Sequence, residues 1–161
     1  IIGSCGSDKK SEWLREECGV DEVINYKTCE NLTKALKAAS PNGIDVYFDN
    51  VGGEHLQAAI DCMNPFGRIA ACGMIGSYNS ALPEAGPNNL MLIVGKKLRI
   101  TGFIVSDHTD MKEKFLDEMI PWIQNGQIKS QETITVGIDK AVEAFLGLFT
   151  GQNFGKMIVK I

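Results

Sequence analysis

GIDVYFDNVGGEHL (residues 43–56), followed within one helix length by FGRIAACG (residues 66–73), decides how this chain is read. The apolar run 44–49 ends in Asp49 and Asn50, two glycines open an amphipathic segment, and a second apolar run, 68–72, stops at Gly73. That is strand, turn, helix, turn, strand. Both strands finish in small or amide residues, where an open doubly wound sheet presents its ligand-binding edge. A dinucleotide-binding unit also opens on a strand and a G-x-G-x-x-G turn, and no glycine cluster of the chain has that spacing ahead of a helix. The expectation is a Rossmann-like α/β domain with a doubly wound parallel sheet, lacking the first βα unit.

Working outward, strands and helices alternate up to Val105, the pattern of a parallel sheet covered on both faces. Ile1 and Ile2 end a strand, and Ser7 caps a helix that turns Trp13, Leu14 and Cys18 inward. A short strand follows over 22–26. Leu32, Ala35, Leu36 and Ala39 recur at helical spacing, and Leu56, Ile60 and Met63 form one face of the helix after the glycine pair. The run 44–49 reads as a buried strand, 74–89 as a long loop of the kind that carries function, and 98–105 as the last strand of the alternating region. Beyond Ser106 the pattern changes. A helix over 111–124 contains Pro121, expected to kink it, and strands at 132–136 and 156–161 flank a helix with Val142, Phe145, Leu146 and Phe149 on one face. We therefore divide the chain into 1–105, a partial dinucleotide-binding domain, and 106–161, C-terminal helices and strands that pack on it and on a lobe outside these residues.

A chain of 161 residues with 44% apolar residues can bury a core without metal or disulfide staples. The net charge of -4 lacks the basic footprint that nucleic acid or an anionic membrane requires. Five cysteines without C-x-x-C spacing point to reduced, mostly buried thiols in a cytoplasmic protein, and no apolar run reaches the ~18 residues of a membrane span. His55 and His108 stand apart from any cysteine or carboxylate cluster, so no metal site is expected. The start on Ile1 suggests an excised segment, a processed chain or a trimmed one.

INYK (24–27), YFDNVGGE (47–54), GRIAACG with SYN (77–79), GFIV (102–105) and TGQNFGKMIVKI (150–161) occur in one order along the chain. Together they resemble the zinc-independent medium-chain dehydrogenases/reductases. The likeness is greatest to the prostaglandin, curcumin and alkenal reductases, which use NADPH to reduce carbon-carbon double bonds conjugated to a carbonyl. It extends over essentially the whole chain, which by it begins at the second Rossmann strand of proteins about twice this long. In a 3-2-1-4-5-6 strand order, loss of the first strand separates strands two and three from four, five and six. The resemblance also implies NADP(H) as cofactor, an enone, enal or quinone substrate, and a homodimer joined through the strand near 98–105.

It assigns site residues as well. At the end of the second strand, where an acidic side chain selects NADH, the chain has Gly6, Ser7, Asp8, Lys9 and Lys10, which favours NADPH. Ser7 and Lys10 are placed at the cofactor's 2'-phosphate, with Tyr26 beside that phosphate or the adenine. Asn50 is placed at a cofactor ribose, while Asp49 is expected to be a structural cap. Cys72, Gly73, Met74, Ile75, Ser77 and Tyr78 fall in the loop under the nicotinamide half, Phe103, Ile104 and Val105 at the carboxamide, and Asn153 in a turn that reaches back to the cofactor. Tyr78 is the candidate proton-bearing catalytic group, because a phenol donating to the carbonyl oxygen stabilises the charge that conjugate reduction develops there.

Each assignment has a plainer counterpart: Ser7 as helix cap, Tyr26 as strand tyrosine, Asn153 as turn residue, Tyr78 as surface loop residue. Two other functions stay open, a non-catalytic nucleotide-binding or subunit-interface module and, more remotely, a methyltransferase-like domain. No Tyr-x-x-x-Lys, G-x-S-x-G or P-loop motif is present.

Overall fold

The computed structural model describes residues 1–82 and 85–161. Its order is β1 (Ile2–Cys5), α1 (Asp8–Glu16), β2 (Glu22–Asn25), α2 (Leu32–Ala39), β3 (Ile44–Asp49), α3 (Gly53–Cys62), β4 (Met63–Ala71), α4 (Met91–Lys96), β5 (Arg99–Gly102), α5 (Lys112–Gln124), β6 (Glu132–Val136), α6 (Ala141–Thr150) and β7 (Lys156–Lys160). Every ladder is parallel, and the strands fall into three sets: β1 with β2, β3-β4-β5, and β6 with β7. The fold is α/β, as expected, and the first two strands are separated from the next three. Between β1 and β3 lies a cavity of about 420 Å³ lined by Ile2, Gly3, Ile24, Leu36, Ile44 and Val46 among others.

Local chemistry fixes the helix starts. The Ser7 hydroxyl accepts from the Lys10 backbone N–H at 3.3 Å, and the Asn31 side-chain oxygen accepts from the Lys34 N–H at 2.8 Å, each satisfying a donor the helix cannot. α3 joins two cores. Leu56 and Ile60 pack with Met63, Ile69 and Leu98, while Ala58 faces Ile24 and Leu32. Burying one large aliphatic side chain contributes about 1.5–3 kcal/mol, so these two clusters hold α2 and α3 against the strands.

Several expectations are corrected. β3 is not buried on both faces: Val46, which lines the cavity between β1 and β3, and Phe48 are 55% and 57% exposed. β4 begins at Met63 rather than Arg68, with a register shift against β3 and Phe66 held at φ 66°. β5 is shorter than 98–105, because from Val105 the chain tightens into a 3-10 turn. In α6 the apolar face Val142, Phe145, Leu146, Phe149 is exposed and Ala144 and Gly147 are buried instead. Cysteine burial is also lower than expected, with only Cys62 buried and both Cys18 and Cys72 exposed.

Candidate cofactor site

In a parallel sheet all strands deliver their carboxyl ends to one edge, and here β3, β4 and β5 do so together. The β3 and β4 ends are laced by backbone bonds. The Asp49 carbonyl accepts from Cys72 N–H at 2.8 Å and Gly73 N–H at 3.1 Å, the Asn50 carbonyl from Ile75 N–H at 3.1 Å, and the Val51 carbonyl from Gly76 N–H at 3.0 Å. Gly52 and Gly73 permit this approach. A side chain starting on Gly52 would stand 3.1 Å from Met74 Cβ, and one on Gly73 3.2 Å from the Tyr78 hydroxyl. Asn50, Cys72, Gly73, Met74, Ile75, Ser77 and Tyr78 are therefore brought together, with Asn50 exposed.

Asp49 is the anchor beneath them. It is 0% exposed, and its Oδ1 accepts from the Val51 and Gly52 N–H groups, both at 2.9 Å, and from the Tyr47 hydroxyl at 3.0 Å. The expected structural role of Asp49 is what these bonds describe. Burial and the adjacent carboxylate push the Tyr47 phenol well above its ordinary range, so it stays a donor.

Tyr78 is exposed on its loop. Its hydroxyl accepts from the Met74 N–H at 3.2 Å, closing its own loop, and its phenol proton remains available. Ser77 Oγ donates to the Met74 carbonyl at 2.9 Å. Phe103 follows β5 and bonds back through its N–H to the Ala71 carbonyl at 3.3 Å, its ring 6.0 Å from Phe48 and 6.1 Å from His108. Ile104 and Val105 continue along this edge with exposed side chains. Beside them Phe103, Val105, His108, Met111 and Phe115 line an apolar recess of about 530 Å³. Pro83 and Glu84 of the expected 74–89 loop lie outside the described residues.

A second cluster forms where β1 and β2 end. Gly6 lacks the side chain that would meet the Tyr26 hydroxyl at 2.8 Å and Lys27 Cε at 3.2 Å, so the tyrosine lies across a bare backbone. Lys10 Nζ donates to the Gly151 carbonyl at 3.1 Å. Asp8, which would oppose an anion here, instead accepts from Asn25 Nδ2 at 2.7 Å. The turn carrying Asn153 docks on α1 through the Trp13 and Phe154 rings, 5.7 Å apart, and Lys9 Nζ lies 5.3 Å from the Phe154 ring centre. Asn153 itself donates to the Gly155 carbonyl at 2.7 Å, as a turn residue does.

Tyr26 and His55 connect the clusters, ring to ring at 5.1 Å. Burial lowers the His55 pKa against the opposing pull of Glu54 and Asp49, and its Nε2 is buried without a hydrogen-bond partner. Sequence reasoning missed Lys27 and His55 as parts of this edge. Lys27 stood in view in INYK, but only the turn after Asn25 brings it to Gly6. Among the described residues no group of three or more histidine, cysteine or acidic side chains could hold a metal ion, and no helix is long and apolar enough to cross a membrane.

The chain is 42% identical over 161 residues to the NADP(+)-dependent 2-alkenal reductase of Nicotiana tabacum, covering 100% of this chain and 47% of that protein. It is also 42% identical to prostaglandin reductase 1 of Bos taurus, covering 99% and 49%. The crystal structure of CurA from Vibrio vulnificus in complex with NADPH superimposes with a TM-score of 0.91 at 33% identity, over 99% of this chain and 49% of that one. The chain thus spans about half the length of the relatives it matches. With residues 1–123 matching the family model described as zinc-binding dehydrogenase, the laced strand ends and the lysine-bearing cradle lie in a chain that belongs to the zinc-binding dehydrogenase family.

Proposed function

We propose that this chain is the cofactor-binding part of an NADPH-dependent reductase that acts on the carbon-carbon double bond of an α,β-unsaturated ketone or aldehyde, or on a quinone. The observation that carries the reading is the cradle at the end of β1 and β2: Lys10, Ser7 and the Tyr26 hydroxyl around a backbone that is bare at Gly6, with Asp8 turned aside to Asn25. Its lysine and hydroxyl groups suit a phosphate carried on a ribose. The names and cofactors of the relatives support the same reading.

NADPH, when bound, supplies the hydride. The chain's own residues then have these tasks. Ser7, Lys10 and Tyr26 hold the 2'-phosphate end, and Asn50 offers its amide to a ribose hydroxyl. The backbone of Cys72, Gly73, Met74 and Ile75 forms the floor, fixed by its bonds to Asp49 and Asn50. Phe103, Ile104 and Val105 shape the nicotinamide end, and Asn153 closes the adenosine side. Tyr78 donates its remaining proton toward the substrate oxygen while Met74 N–H orients the phenol. The apolar recess at Phe103 and Phe115 suits the alkyl part of an enal.

Residues 1–105 carry the cofactor surface, and 106–161 supply the exposed apolar faces of α5 and α6 that pack against a further lobe. β5 ends its sheet and all four of its residues are exposed, which supports pairing of two copies into a homodimer along this edge. By this reading the enzyme is zinc-independent, as the resemblance implies, and cytoplasmic, in keeping with five cysteines that show no disulfide pattern.

The test is NADPH oxidation by the full-length protein, followed by absorbance, with a panel of enals, enones and quinones. The expected result is turnover with NADPH well above that with NADH and loss of turnover rate in Y78F. No oxidation of either cofactor with any member of the panel would overturn the proposal.

A further inference from the structure

We propose that Lys27 is a second cation of the phosphate cradle, forming with Lys10 a lysine pair that sets the preference for a cofactor bearing a 2'-phosphate. The inference rests on the NADPH reading above. A side chain beginning at Gly151 would stand 4.0 Å from Lys10 Nζ and 4.0 Å from Lys27 Nζ, so the two ammonium groups are no more than twice that distance apart. They approach from different elements, Lys10 from α1 and Lys27 from the turn after β2. Among the described residues neither forms an ion pair, the one salt bridge being that of the Ile1 amino group with Asp21. Two like charges gathered without a carboxylate repel one another, and a doubly charged anion between them removes that cost.

The surroundings are arranged for such an anion. The Gly151 carbonyl takes one donor of Lys10 and leaves the ammonium two more. Gly151 has φ +70°, so the turn that presents this carbonyl favours glycine. The Lys27 N–H donates to Asn25 Oδ1 at 3.1 Å, fixing the start of its side chain, and the same Asn25 holds Asp8 away. Lys27 Cε and the Tyr26 hydroxyl both pass over bare Gly6. A phosphate monoester placed there meets two ammonium groups and a phenol, whereas an unmodified ribose hydroxyl has no use for the second charge.

The experiment measures calorimetric affinities of the full-length protein for adenosine 2',5'-bisphosphate and for 5'-AMP, and the NADPH to NADH ratio of kcat/KM, in wild type, K27Q, K27R and K10Q. K27Q is expected to lower the bisphosphate to monophosphate affinity ratio about tenfold, the loss of one charge-assisted contact, with K27R retaining most of the ratio. Raised salt is expected to shrink the wild-type ratio more than that of K27Q. An unchanged ratio in K27Q, or equal loss for both ligands, overturns the role of Lys27. If K10Q collapses the ratio while K27Q does not, the cofactor reading stands and this assignment fails. A wild-type protein with no preference for the 2'-phosphorylated ligand overturns both.

Discussion

Replacing Asp49 by alanine removes the acceptor on which the β3 end is built. Two backbone N–H groups, of Val51 and Gly52, and the Tyr47 phenol all donate to Oδ1, at 2.9, 2.9 and 3.0 Å, in a side chain that is 0% exposed. Leaving a buried donor unsatisfied costs about 1–3 kcal/mol, so the three donors imply a gross loss of at most roughly 3–9 kcal/mol, the Val51 and Tyr47 groups being only part-buried. Part of this is offset, since the second carboxylate oxygen is buried without a partner and its desolvation cost disappears with the charge. A net destabilisation of about 3–5 kcal/mol is expected for D49A. D49N keeps an oxygen in place of Oδ1 and is expected to lose only about 1–2 kcal/mol, as charge-assisted bonds become neutral ones. The assay is urea unfolding of the full-length protein, compared at constant slope. The NADPH KM gives the functional readout, because the Asp49 carbonyl also carries the Cys72 and Gly73 N–H groups. D49A within about 1 kcal/mol of wild type, with D49N no milder, would refute the assignment of Asp49 as the buried anchor.

Other expectations follow from single contacts. Burial holds the His55 pKa below its usual value of about 6.5, so the unfolded chain binds the proton more readily. His55 therefore contributes fully above that pH and loses stability as pH falls through the folded value, and H55F should flatten the acid limb of a stability-pH curve; an unchanged limb contradicts this. Gly155, at φ +73°, has no room for a side chain beside the Gln131 carbonyl, so G155A should cost about 3 kcal/mol or more and loosen the β6–β7 pair, read by hydrogen exchange of Thr133 to Thr135. A maleimide should label Cys18 and Cys72 well before Cys62, whose thiol is both buried and raised in pKa by that burial; simultaneous labelling would contradict the packing of α3.

Much of the site was legible because it is written in backbone chemistry. Gly52 and Gly53 after a strand, Ser7 before an amphipathic run and Gly73 after another strand each demand a turn of a particular kind, and each lies at the expected strand end. The loop 74–89 read as irregular, and apart from a 3-10 turn at Ile75–Ser77 its described residues are. Burial was less legible. Val46, Phe48, Val142 and Phe145 carry the apolar signal of core positions yet stand exposed, because periodicity identifies a face without naming what covers it. Cys18 shares that fate, exposed in the turn after α1.

The sequence by itself determined the element order, the parallel α/β class, the Ser7 helix cap and the set of strand-end residues, all of which depend on neighbours a few positions apart. Only the tertiary structure decided that Lys27 joins Lys10 at Gly151, that Tyr26 meets His55, that Tyr78 is tied to Met74 and that Asp49 rather than Asn50 lies fully buried. These are encounters between segments distant in the chain or settled by side-chain packing. Their geometry is set by how whole elements pack, a long-range balance of burial against chain entropy that no local pattern encodes.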